Sequence, residues 1–188
     1  MTSPAQTSAV SFLVNVARLA RGGLPIWLEA DEEQRAALAR DHGLLGVESY
    51  RLDATVTPWQ GRGVKIAGTV RAEITQECAV TLDPVAAVVD ERFEALFVPE
   101  SSRLARRDAG TAMELVLDAE GPDAPETFSG DSIDVGAVGE EFFELAIDPY
   151  PRSPSAELAE LSTEDRADDE KDQGGALRRE LEKLLPRK

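Results

Sequence analysis

A chain of 188 residues with 42% hydrophobic content can bury one core, and aromatics at 5% leave that core to Val, Leu, Ala and Ile. A formal net charge of −16 repels bare nucleic acid and anionic membranes and attracts basic partners. One cysteine excludes an internal disulfide and fits a reducing compartment; with neither a signal-peptide pattern nor an apolar run of roughly 20 residues, a soluble, cytoplasmic protein is expected.

Residues 11–19 alternate, with Phe12, Val14 and Val16 on one side, and predict a first strand. Arg21-Gly22-Gly23-Leu24-Pro25 turns the chain into a second short strand at Ile26-Trp27-Leu28. Asp31 is a good N-cap, Gln34 completes a capping box, and Glu32 and Glu33 favour the positive end of the helix dipole. A helix over 32–42 follows, closed by Gly43 with Leu44 folding back. Residues 45–57 alternate again, with Tyr50, Leu52, Ala54 and Val56 inward and Arg51, Asp53 and Thr55 outward. The Gly61-Arg62-Gly63 that follows has no helix behind it to make an anion site, so it reads as a hairpin connection.

The strongest pattern spans residues 63–98. Val64, Ile66, Gly68, Val70, Ala72 and Ile74 form one apolar row against Lys65, Thr69, Arg71 and Glu73. After a break with Asp83-Pro84, the row resumes at Val85, Ala87, Val89, Phe93, Ala95 and Phe97, with Asp90, Arg92 and Glu94 facing away. These are two long strands of an antiparallel unit. Beyond them, Arg103, Arg106 and Arg107 form a basic cluster and residues 113–117 predict a strand. Asp131-Ser132-Ile133-Asp134 then introduces a helix running to about Ile147. Its stripe is Val135, Val138, Phe142 and Leu145, with Glu140 and Glu144 opposite, and Asp148-Pro149-Tyr150-Pro151 stops it. Residues 157–175 are acidic and have little to bury, which predicts a flexible segment, and 176–185 suit a short terminal helix.

Catalytic chemistry is thin. His42 is the only histidine, which removes most Ser-His and Cys-His schemes, and a helix C-terminus suits it structurally. Cys78 has no assignable base and reads as a turn or core cysteine. No CxxC, HExxH or P-loop is present. The informative feature is charge distribution: residues 111–148 hold no Lys or Arg but carry Glu114, Glu140, Glu141 and Glu144 among eleven acids. Such a stretch is a solvated face or a surface that captures a basic protein.

Ile66-Ala67-Gly68-Thr69-Val70, Gln76-Glu77-Cys78-Ala79-Val80-Thr81-Leu82-Asp83-Pro84-Val85 and Phe93-Glu94-Ala95-Leu96-Phe97 resemble the YceD family. So does the later run from Ile133-Asp134-Val135-Gly136 to Asp148-Pro149-Tyr150-Pro151-Arg152, and together the likeness covers about residues 46–154. These are large ribosomal RNA subunit accumulation proteins of bacteria and plastids. The resemblance implies a non-enzymatic factor needed for 23S rRNA to accumulate and the large subunit to assemble. Many members carry C-x-R-C-L at the turn, and some add cysteines near the proline cluster, suggesting metal ligation. Here Val80 and Thr81 replace the Arg and the second Cys, and no Cys occurs in 148–154, so neither a metal nor another cofactor is expected.

The expected protein is therefore one α+β domain over 1–154 with an acidic tail over 155–188. Its sheet is mostly antiparallel, strongly curved and barrel-like, of roughly five to seven strands, with two helices. The expected role is large-subunit biogenesis through protein contacts with a basic ribosomal protein or an assembly intermediate. Glu114, Glu140, Glu141 and Glu144 are the partner-binding candidates; rRNA is met indirectly or weakly, and no membrane is involved. The alternative is direct rRNA binding through Arg62, Arg71, Arg103, Arg106 and Arg107.

Overall fold

The structure, a computed structural model, describes residues 8–102 and 125–154. The strand expected at 113–117, the segments 157–175 and 176–185, and the candidates Arg103, Arg106, Arg107 and Glu114 lie outside the described residues.

The first strand is shorter than its alternation suggests. β1 (Leu13–Asn15) gives way at once to a 3-10 turn over Val16–Arg18. The reason is long-range: Val16 N–H donates to the Asp131 carbonyl, and Leu19 N–H closes the turn on Val16. β2 (Leu24–Glu29) then leads to α1 (Glu32–Asp41). The Asp31–Gln34 capping box is formed in both directions, at 2.9 and 3.0 Å. The helix ends through His42, and Gly43, at φ +65°, supplies the left-handed residue that lets Leu44 N–H reach the Ala39 carbonyl.

β3 (Gly46–Trp59), β4 (Gly63–Glu77) and β5 (Pro84–Pro99) are the long alternating runs. With β2 and the short β6 (Glu126–Phe128), they make a sheet of order β2-β3-β4-β5-β6. β2, β3 and β4 pair antiparallel with Ile26, Ala54 and Gly68 in one row, whereas β6 joins β5 in parallel. Within this sheet, β2 and β6 are its two open edges, so it is not the closed, barrel-like surface expected from the pattern. A second, two-stranded sheet pairs β1 with β7 (Ser132–Asp134), Val14 opposite Ile133.

α2 (Val135–Ala146) follows directly, capped by the Asp134 carboxylate on Ala137 N–H. The inward rows of β2 to β5, Leu38 of α1, and Val135, Val138 and Phe143 of α2 share one buried cluster. The helix is rotated from the expected stripe: Phe143 is fully buried, Phe142 stacks on Phe93 at 4.7 Å, and Leu145 is 74% exposed. Gly136 and Gly139 explain the rotation, because they allow backbone and large side chains to approach where any Cβ would collide.

By contacts the chain divides into two compact units, residues 1–76 with 86–149, and residues 77–85 with 150–188. The first holds both α-helices and most of the strands; the second contains the turn around Cys78.

Candidate functional site

In the first unit, one carboxylate gathers three separate stretches of chain. Glu140 lies on α2, and its Oε1 is 3.0 Å from His42 Nε2 at the C-cap of α1. Its Oε2 accepts the Ala9 N–H at 3.0 Å and the Ser8 hydroxyl. Phe143 presents its ring at right angles to both His42 and Tyr50, each at 5.4 Å. The side chains of His42 and Glu140 are only 8% and 13% exposed, so their attraction is poorly screened by water. The hydrogen bond to Glu140 holds His42 above its ordinary pKa, and Glu144 and Asp41 add to that effect against the opposing cost of burial. Burial alone would push Glu140 up; the bonds from His42, Ser8 and Ala9 outweigh it and hold this carboxyl below its usual value. Tyr50 is pushed up by burial and by Glu140, and its hydroxyl has no hydrogen-bond partner among the described residues.

The acidic candidates therefore divide. Glu140 is engaged, while Glu141 and Glu144 are exposed. With Asp41, Ser8, His42, Ala137 and Glu140 they line a shallow depression of about 290 Å³ that has no Lys or Arg among its lining residues. Leu145 stands beside Glu144 in sequence, exposed to water.

Of the basic candidates, the described pair, Arg62 and Arg71, does not converge. Arg71 lies on the outward face of β4 opposite Arg51, and each is tied to an acid: Arg71 to Asp90 at 3.3 Å, Arg51 to Glu29 at 3.2 Å. Arg62 sits in the turn between β3 and β4, on a cleft of about 320 Å³ with Pro58, Val64, Pro99 and Phe128 among its walls. Nine residues along the chain put Arg62 and Arg71 roughly 25 Å or more apart, so they cannot grip one phosphate.

In the second unit, Cys78 is fully buried and serves as an acceptor. Its Sγ receives Thr81 N–H at 3.5 Å and Ser153 N–H at 3.4 Å. Hydrogen bonds from Thr81, then from Ser153 and Val80, hold the thiol down at about 6 against the opposing effect of burial. Thr81 Oγ1 lies 3.5 Å from Ser153 Oγ. One sulfur and two hydroxyls are a poor donor set for zinc, and among the described residues no group of three His, Cys, Asp or Glu gathers elsewhere. Cys78→Ala removes an acceptor for two N–H groups. It should lower the melting temperature by a few degrees and leave cellular function intact where the folded protein is retained; a folded variant that fails in cells would give Cys78 a chemical role.

The turn, β5, the proline cluster and α2 all fall in a segment, residues 66–186, that matches the family model for large ribosomal RNA subunit accumulation protein YceD. The chain belongs to the YceD family. The match includes Glu140 but begins after His42, so the ion pair joins a matched helix to an unmatched one. No curated protein and no solved structure matches the chain. Among the described residues no helix is long and apolar enough to cross a membrane.

His42–Glu140 is the feature that sequence reasoning missed. Its signal was the set Gly136, Gly139, Glu140 and Phe143, which share one helical face; the two glycines mark that face as the one pressed against neighbours.

Proposed function

We propose that this YceD-family protein supports large-subunit rRNA accumulation in the cytoplasm as a non-catalytic factor that holds a basic ribosomal protein, free or within an assembly intermediate. The family match supports the ribosomal role. The observation that carries the mode of action is the acidic depression, with exposed Glu141 and Glu144 on its rim and no Lys or Arg among its lining residues. Such a surface attracts Lys and Arg side chains and repels a phosphate backbone. The second reading, direct rRNA binding, has in its favour among the described candidates Arg62, which has no ion-pair partner among the described residues.

The double variant Glu141→Gln/Glu144→Gln should weaken binding to isolated large-subunit proteins about tenfold at 0.1 M salt, and the difference should shrink as salt rises, since exposed charges are screened beyond roughly 10 Å. Arg62→Ala should change little. Loss of 23S rRNA binding in the Arg62 variant, with the acidic variant silent, would replace the protein-contact reading with the RNA one.

A further inference from the structure

The turn of the second unit carries two features that cost the fold something. Leu82 has φ +63°, the one non-glycine residue with positive φ among the described residues, and a bulky side chain is strained there. The same side chain is 65% exposed, and Val80, two residues earlier, is 47% exposed. A turn that needed only to reverse the chain would place Gly or Asn at the left-handed position and polar residues at the tip.

The turn is also tightly fixed. Cys78 N–H donates to the Asp83 carbonyl at 2.9 Å, Leu82 N–H to the Cys78 carbonyl at 3.0 Å, and Ala79 N–H to the Pro151 carbonyl at 2.9 Å. Thr81 and Ser153 N–H groups converge on the buried Sγ, so the thiol acts as the hub that imposes the strained shape. The result is a rigid apolar prong whose side chains need no ordering when they meet a partner. Exposed Glu77 and Asp83 flank its base.

We infer that Val80 and Leu82 form a docking prong that inserts into an apolar pocket of a basic protein of the large subunit, with Glu77 and Asp83 set to meet cations at the pocket's rim. This rests on the reading that such a protein is the partner, and adds an apolar contact to the charged one. The charges choose the partner class, and the apolar side chains, once covered by the partner's pocket, slow its release.

The test uses the full chain and large-subunit proteins extracted from ribosomes and freed of rRNA. Leu82→Asn suits the left-handed backbone, so the variant should melt at or slightly above the wild-type temperature while binding at least tenfold more weakly. Val80→Ser, at a position with ordinary φ, should also weaken binding, which covers the case in which the Leu82 variant misfolds. Wild-type affinity in both folded variants, with binding lost only in Glu141→Gln/Glu144→Gln, would overturn the prong and leave the proposed function standing. A wild-type protein that ignores these proteins and binds naked 23S rRNA would overturn both.

Discussion

Gly136→Ala should destabilise the protein by ~3 kcal/mol or more, although helix propensity alone predicts a gain of about 1 kcal/mol. A Cβ at Gly136 would lie 1.8 Å from the Val10 carbonyl oxygen, 2.7 Å from its carbon and 2.8 Å from the Phe12 nitrogen. All three are backbone atoms, so no rotamer change relieves the clash, and α2 has to leave the N-terminal segment. Gly139→Ala should cost less, because its nearest neighbours are the Leu52 methyls at 2.8 and 3.0 Å, which can turn. Urea denaturation of both variants checks the order; a Gly136→Ala protein more stable than wild type would mean that the helix does not pack as described.

Glu140→Ala should cost about 2–3 kcal/mol near pH 6, since it leaves the His42 ring, the Ser8 hydroxyl and the Ala9 N–H without their acceptor in a half-buried place. The charged part of this contact has a pH window. His42 titrates above its ordinary 6.5 in the folded state, so its contribution is complete below 6.5 and is lost as pH rises through the raised value. Glu140 titrates below its ordinary 4.5, so its contribution is complete above 4.5 and is lost as pH falls through the lowered value. The difference in stability between wild type and His42→Gln should therefore be greatest between these limits and narrow on either side. Denaturation curves from about pH 4 to pH 9 measure it; a difference that stays flat across that range would make the contact an uncharged hydrogen bond.

What was legible in the sequence was local. The capping box of α1 needs only Asp31 and Gln34, three residues apart, and it formed as read. The long strands announce themselves because Tyr50, Leu52, Ala54 and Val56, or Val70, Ala72 and Ile74, repeat the pleat over many residues. What was not legible depended on partners far along the chain. The strand expected over 11–19 stops at Asn15 because Val16 bonds to Asp131, and the Glu140 carboxylate is withdrawn from solvent by His42, Ser8 and Ala9. Periodicity drew α2 with Leu145 inward, whereas close approach at Gly136 and Gly139 turns Phe143 in. The arginines illustrate the same limit: Arg62 and Arg71 look alike as letters, but only Arg71 has an acid across the strand.

The pairing of β1 with β7 also sets when the molecule can be finished. Val14 and Ile133 stand side by side but are roughly 120 residues apart along the chain, a separation that slows closure and raises contact order. At a synthesis rate of about 5–20 residues per second, β1 waits on the order of 6 to 24 s for its partner strand to be made. Until then Val14 and the apolar residues around it have no sheet to join. The nascent chain thus carries an open N-terminal segment while its own ribosome is still at work, and the last described strand and helix act as the latch that ends that exposure.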